Sequence, residues 1–506
     1  MRWGKRVLFG SSVAAAISLA LPAAASAKDA AKASGALPMV AAAAATTTTL
    51  ASSASSIAGD SWVTFTAHVS SASGIPAGTV TFTDTSNGSV LRSANLSSGV
   101  ASFSTAALAP GARSIVAHYN GSSSFGASSS AALAISVGSV GSEAVTYQNN
   151  PRHDGRQASG ALSAGSLAKK WSVTLGVNGS DLAEAGDVSY PVIARGRVYV
   201  TVENAQTYGT QLYALSTSTG ATDWSVGLAG TYGFSALAYD GRRIFALNYD
   251  GVLTAFVATT GHELWAKQMP NQYAFTAPPS AYDGVVYISG AGFGGTVYAV
   301  SEADGVVRWT GSVENGDKSS PAVDSTGAYV SYACQQDYRF NLRGQLVWHY
   351  TTACEGGGGS TAVLHGSYLY ARGAHDSPVI LSKTAGTSAG SFASATAPAF
   401  DSTNMYTLQN GNLVAVYQSG SPNRWTFSNG SLVTAPVVNG GVVYVGSSDG
   451  RVYGVSASSG TQVWSGTAGT SILGPDEQNA DVLIGMAVGG GLLVVPAATT
   501  LTAFGN

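Results

Sequence analysis

Charge is scarce in this sequence. Asp, Glu, Lys and Arg make up 10% of its 506 residues, where globular domains usually carry about 25%. The chain is nonetheless 45% hydrophobic, which excludes a disordered polypeptide, because such chains lack apolar content. Basic residues are few: 24, against 27 acidic ones. No basic surface for nucleic acid or anionic lipid is indicated. Long apolar runs are missing too. The one near the N-terminus, "VLFGSSVAAAISLAL", is too short to span a bilayer. Cysteine occurs twice, at Cys334 and Cys354. Two cysteines without nearby ligand histidines make a poor metal site.

What fills the space is Ser, Thr and Gly, the last numbering 63, a composition suited to short strands and tight turns. The N-terminal run follows Arg2, Lys5 and Arg6 and precedes "ASA" at 25–27. Basic residues, an apolar stretch and a small-x-small site are the marks of a cleaved export signal over 1–27. Removing those three basic residues leaves 21 against 27 acidic ones, a net of −6. An exported chain meets an oxidising compartment, so a Cys334–Cys354 disulfide is the default expectation. Closing about twenty residues in this way contributes on the order of 3 kcal/mol. The expected location is secreted, cell-surface or periplasmic, without a transmembrane segment.

Residues 28–45 form an Ala-rich linker. From Thr46 the pattern turns to period-two alternation in "WVTFTAHV" (62–69), "GTVTFTD" (78–84), "GVASFSTAAL" (99–108) and "ARSIVAHYNG" (112–121). Short strands at this spacing predict a β-sandwich. With its "GTVTF" and "IVAHYNG" phrases, the segment 46–138 resembles the bacterial Ig-like repeat domains. That resemblance implies a spacer or adhesive module, here without the inter-sheet disulfide of antibody domains.

The second half repeats one phrase: "LYALSTSTGATDW", "LTAFVATTGHELW", "VYAVSEADGVVRW", "LVAVYQSGSPNRW" and "VYGVSASSGTQVW". Trp224, Trp265, Trp309 and Trp348 stand 41, 44 and 39 residues apart, and Trp425 and Trp464 again 39. A period near forty with four short alternating strands per unit predicts propeller blades rather than a helical repeat. Seven units begin near Tyr190, Phe234, Ala277, Ser319, Gly359, Thr396 and Thr434. The fifth carries Phe392 where the Trp should stand. An eighth is split between "AKKWSVTL" (168–175), with Trp171, and three strands in 485–506. The expected fold is therefore all-β, an Ig-like sandwich followed by an eight-bladed propeller over 139–506 that strands from both ends close.

The repeated phrase and the lead-in "YQNNPRHDG" (147–155) resemble the PQQ-like β-propeller family. That resemblance implies the fold; the same blade serves quinone enzymes, outer-membrane assembly scaffolds and other exported proteins. Quinone chemistry is not expected here. Trp171, Trp224, Trp265, Trp309, Trp348, Trp425 and Trp464 all fall in blade-closing strands, where they dock neighbouring blades and leave no Trp as a stacking platform. The adjacent cysteines of quinoprotein alcohol dehydrogenases are also absent. "GTSAG" (386–390) and "GSSDG" (446–450) match a hydrolase motif but sit in hairpins. "GAGFGG" (290–295) precedes a strand rather than a phosphate-binding helix. His365 and His375 share the fifth blade without metal spacing. No catalytic residue and no organic cofactor is assigned.

Two features remain on the face where second-to-third-strand and blade-to-blade connections emerge. The first is the Cys334–Cys354 region. The second is a pair of acidic loops, with Asp181, Glu184 and Asp187 in one and Asp476, Glu477 and Asp481 in the other. Converging carboxylates suit Ca²⁺, although a solvated acidic patch is the simpler reading. Tyr208, Tyr232, Phe234, Tyr273 and Phe275 share this face, and blade packing is favoured over stacking on a sugar or peptide. The functional expectation is a monomeric, non-enzymatic binding protein whose partner is an envelope or extracellular protein or a polysaccharide. A divergent quinoprotein or metal-assisted propeller enzyme is the alternative.

Overall fold

The computed structural model describes residues 43–506 apart from 58–62, 106–107, 109–110, 138–142, 158–159, 161, 177–184, 205–207, 315–318, 353–358, 374–376 and 478–480. The leader 1–27, Asp181, Glu184, Cys354 and His375 thus lie outside the described residues.

Alternation builds the first unit. In strand Val63–Ser70 every second residue is buried, placing Val63, Phe65 and Ala67 between two sheets together with Val80, Phe82, Ile115, Ala117, Tyr119 and Ile135. One sheet joins Thr47–Ser52, Val63–Ser70 and Val100–Thr105; the other is ordered Ser56–Ile57, Leu133–Val137, Gly111–Tyr119, Thr79–Asp84 and Ser89–Asn95. The buried Tyr119 donates its hydroxyl proton to the Ala77 carbonyl at 2.6 Å. This satisfies the polar tip of an otherwise apolar side chain.

Eight further sheets follow, each with four principal antiparallel strands. The first blade shows why the units read as they do. Its second and third strands, Arg197–Asn204 and Thr210–Ser216, are buried almost throughout because sheets cover both faces. Its fourth strand, Thr222–Leu228, alternates exposed and half-buried positions, as an outer strand should. The eighth sheet combines Ala168–Thr174 with Thr500–Gly505, Leu492–Ala497 and Ala487–Gly489. Strands from both halves of the chain therefore share one blade, as the split phrase predicts.

Each Trp meets the next blade in the same way. Trp224 pairs with Ala214 across the third and fourth strands, and the register slips by one residue there. The same slip accompanies Trp265 opposite Ala255, Trp309 opposite Ala299, Trp425 opposite Ala415 and Trp464 opposite Gly454. A bulge re-aims a side chain, and the small residue across from it leaves room; Trp348 shares the slip but faces Arg339. The indole N–H of Trp224 then donates to the Ala258 carbonyl of blade two at 3.1 Å, and that of Trp265 to Glu302 at 3.1 Å. Trp309, Trp348 and Trp425 donate likewise to Leu342, Lys383 and Ala457. Trp464 donates to Leu167 at 2.9 Å and Trp171 to Thr217 at 2.8 Å, so the succession passes through the split blade and returns to the first.

The rings of six of them, Trp464 excepted, rest on a turn glycine in the receiving blade. A Cβ on Gly220, Gly261 or Gly460 would lie 2.7–2.8 Å from the six-membered side of Trp171, Trp224 or Trp425, and all three have φ near +70°. Both the space and the left-handed backbone require glycine. Blade five breaks the pattern. Its fourth strand, Ser388–Ser391, ends at Phe392, which is buried edge-on against Tyr370 at 5.7 Å.

Candidate functional site

The segment 144–157 lies on the propeller axis. Its residues bond in turn to the innermost strands: the Ala144 carbonyl accepts from Ile193 in blade one and Val145 from Tyr239 in blade two. Pro151 accepts from Val323, Arg152 from Leu364, Asp154 from Phe400 and Gly155 from Val438, in blades four to seven. Asn149 accepts from Val488 of blade eight at 3.0 Å, and Thr146 donates to Pro279 of blade three at 2.9 Å. One stretch of fourteen residues thus touches all eight blades. Its polar members Thr146, Gln148, Asn149, His153 and Asp154 are buried, and hydrogen bonds like these are what permit polar groups there.

His153 is fully buried. Its Nδ1 is 2.8 Å from the Tyr147 carbonyl, and its Nε2 lies near the Pro321 carbonyl (3.0 Å) and the Ser280 and Ser320 hydroxyls. Burial holds the imidazole below its ordinary value, against the pull of the Tyr147 and Pro321 carbonyls. Asp154 is also buried and accepts from Asn150 at 2.8 Å. Burial opposes its ionisation, but hydrogen bonds from His365 and Asn150 and the charge of Arg152 hold its carboxyl below the usual range. His365, for which the sequence offers no metal spacing, is largely buried, stacks flat on Phe400 at 4.5 Å and reaches Asp154 at 3.4 Å.

Above this segment runs the long connection between blades seven and eight. Glu477 leaves it and reaches blade five, where Arg372 grips both its oxygens at 2.9 and 3.2 Å and the Thr361 N–H donates to it. Both side chains of this pair are more than 90% buried. Glu477 therefore serves an ion pair across the axis and is not free for a cation shared with its neighbours. Asp476 is exposed. Asp187 and Asp481 do come together, and Glu203, which sequence reasoning missed, joins them. Burial and then Asp481 push the Asp187 carboxyl up; burial, then Asp481 and Asp187, do the same to Glu203. Among the described residues, no group of three or more His, Cys, Asp or Glu side chains is placed to hold a metal ion.

The five loop aromatics divide. Phe234 and Phe275 are buried blade packing, whereas Tyr208, Tyr232 and Tyr273 are 73%, 44% and 54% exposed. Phe293, unremarked in the sequence, is 79% exposed beside Tyr273. Cys334 is buried in the connection after Gly327–Tyr332, with φ +62°.

One carboxyl on the opposite end of the blades is anomalous. Glu302 is buried where Trp265 docks, and burial followed by the charge of Asp240 pushes its carboxyl up to about 8. The unfolded chain ionises it near 4.5. Its ionisation therefore opposes folding increasingly as pH rises from 4.5 through 8. Glu302→Gln is expected to raise the melting temperature at pH 9 by roughly 2 °C and to change little at pH 4. Equal shifts at both pH values would remove the explanation.

The centre can be tested for a quinone. Such a ring needs a flat stacking surface, yet the described blade tryptophans are all engaged in docking. Tyr147 and Tyr190 pack on each other edge-on at 5.5 Å. Arg372, a cation at the centre, is already held by Glu477. These residues do not fit the group, and no step is derived through it. The Tyr147 hydroxyl and both amide atoms of Gln148 are nonetheless buried without a geometrically sound hydrogen bond, so the axis retains polar capacity.

Comparison with known proteins agrees with this architecture. A model for a bacterial Ig-like domain of group 3 matches residues 33–138. One described as outer membrane protein assembly factor BamB, of PQQ-type repeats, matches 154–334 and 338–504. No curated protein sequence matches the chain. Among solved structures, the quinohemoprotein alcohol dehydrogenase of Comamonas testosteroni is similar at 14% identity and TM-score 0.56, covering 72% of this chain and 80% of its own. A europium-containing methanol dehydrogenase is similar at 12% identity and TM-score 0.53, covering 72% and 98%. The computationally designed Ika8 protein also matches, at 12% identity and TM-score 0.52, covering 67% and 100%. At these identities the likeness is one of fold. No described helix is long and apolar enough to cross a membrane. With the repeats matched over most of its length, the chain belongs to the PQQ-repeat propeller family described as outer membrane protein assembly factor BamB, and carries a bacterial Ig-like domain ahead of it.

Proposed function

We propose that this is an exported, non-enzymatic binding protein that presents the upper loops of its propeller to a partner in the cell envelope or outside the cell. The Ig-like domain acts as a spacer or adhesive module. The observation that carries this reading is the use made of the axis: residues 144–157 fill it with the chain's own side chains, and the blade tryptophans are committed to packing. What remains open to a partner is the loop face. Export rests on the leader over 1–27, and with it goes a Cys334–Cys354 disulfide that pins the upper connection of blade four. The enzymatic alternative, a divergent quinoprotein or a metal-assisted propeller, draws support from the buried Tyr147 hydroxyl and Gln148 amide, whose hydrogen-bonding capacity on the axis is not fully used.

Melting of the intact chain in chelator, in Ca²⁺, and in Ca²⁺ with pyrroloquinoline quinone separates the two. A ligand at one hundred times its dissociation constant stabilises the folded state by about 2.7 kcal/mol. The expected result is one melting temperature in all three conditions. A rise that requires the quinone would overturn the binding-protein reading. A rise with Ca²⁺ alone that Asp187→Asn abolishes would restore a cation to the acidic loops.

A further inference from the structure

The exposed large apolar side chains of the propeller sort by chemistry. Many of the aliphatic ones lie on outer fourth strands or the turns leading into them: Leu264, Val306, Leu342, Leu346, Val347 and Val463. Scattered singles of this kind carry no message. The aromatic ones on the upper face gather in the loops of three consecutive blades, as Tyr208, Tyr232, Tyr273 and Phe293.

These rings form a row of two contacting groups. Tyr208 meets Tyr232 at 6.2 Å and 69°, and Tyr232 meets the half-buried Tyr249 at 4.4 Å and 64°. Tyr273 meets Phe293 at 5.2 Å and 80°. Backbone bonds tie the loops together: Gly209 N–H to Tyr232, Tyr249 N–H to Phe234 and Phe275 N–H to the Tyr249 carbonyl. The Gln272 amide clamps the Phe293 loop, accepting from its N–H at 2.8 Å and donating to its carbonyl at 3.3 Å. The rings are thus held by a fixed frame rather than by one another's faces. A perpendicular pair covers at most one face per contact, so Tyr208 and Phe293 keep most of their surface in water.

What would cover them follows from what surrounds them. The five connections concerned, at 203–210, 229–234, 248–251, 269–279 and 291–295, contain no Lys or Arg. Their large exposed apolar side chains are aromatic rather than aliphatic. Thr, Asn, Gln and Gly stand between the rings. Asp250 lies in the row and accepts from the Thr231 N–H at 2.8 Å through Oδ2, leaving its other oxygen for a hydroxyl. Flat apolar faces beside planar acceptors, with no cation to attract an acidic partner, match the pyranose ring, which has an apolar face and a rim of hydroxyl donors.

We infer that the upper loops of blades one to three are a platform for a neutral polysaccharide, with Tyr208 and Phe293 as stacking faces and Asp250 as hydroxyl acceptor. This rests on the reading of the loop face as a binding surface and names its partner.

The test uses the intact chain and the double variant Tyr208→Ala/Phe293→Ala, whose melting temperature should match the parent because both side chains are exposed. Each is mixed with insoluble cellulose, chitin, xylan and starch, and depletion from solution is measured with and without the corresponding soluble hexasaccharide as competitor. The expected result is retention on at least one polymer, competed by its hexasaccharide and weakened tenfold or more in the variant. Retention unchanged in the variant, or absent from all four polymers, overturns the inference. In parallel, both proteins are immobilised and exposed to detergent-solubilised envelope proteins. Capture by the parent but not the variant, without polysaccharide binding, sinks the glycan platform while sparing the loop-face reading; failure in both assays sinks both.

Discussion

Replacing His153 by alanine will cost the propeller about 3 kcal/mol or more, the range expected when a buried hydrogen-bond centre is removed and a cavity is left. The side chain joins Tyr147 on its own segment to Ser280, Ser320 and Pro321 on blades three and four. Its removal leaves a buried carbonyl without its donor and loosens the segment that touches every blade. The effect also depends on pH. Burial keeps the imidazole below its ordinary value of 6.5 in the folded chain. Below pH 6.5 the unfolded chain takes up a proton that the folded one refuses, so this contribution is present above 6.5 and lost on acidification. Glu302, Glu203 and Asp187, whose carboxyls are pushed up, act in the opposite sense. The informative quantity is therefore the difference between parent and variant, from denaturant midpoints at pH 7.5 and 5.5. It should shrink at the lower pH. A difference below 1 kcal/mol at pH 7.5 would mean that the axial segment is an ornament on a self-sufficient ring.

The second large effect lies above that segment. Arg372→Met will leave the Glu477 carboxylate buried with the Thr361 N–H still donating to it, and breaking one side of a buried pair costs about 3–5 kcal/mol. The double variant Arg372→Met/Glu477→Leu is expected to recover most of the loss, since apolar replacement of a whole buried pair is often neutral. A double-mutant cycle on the intact chain decides the matter. Equal losses in the single and double variants would show that the two side chains do not act together.

Much of this architecture was legible because it is local. A Trp every forty residues, an alanine or glycine in the facing strand and a glycine in the next turn are spaced by one blade, so a repeated phrase carries them. The axial segment was not legible in that way. His153 and the Pro321 carbonyl it faces are 168 residues apart, and "YQNNPRHDG" has no periodicity to announce eight separate partners. The acidic loops were read as one group of six. The structure joins Asp187 and Asp481 to Glu203 at the end of a second strand and spends Glu477 on Arg372, a residue whose position across the axis no spacing encodes. The loop aromatics were read as packing. Phe234 and Phe275 do pack, but each stands two residues beyond an exposed tyrosine, Tyr232 or Tyr273, and composition alone does not tell which of the two turns inward.

The shared eighth blade has a consequence for the order of synthesis. Ser172 and its cross-strand partner Thr502 are 330 residues apart. At the usual rates of translation the first must wait roughly 15–65 s for the second to exist. Throughout that interval Ala168–Thr174 is an edge without a neighbour, and an unpaired edge invites pairing with other chains. The axial segment is made just before it, ahead of every residue it will bond. The blades then arrive one at a time around a core that is already waiting, and all but the sixth receive the indole of a neighbour.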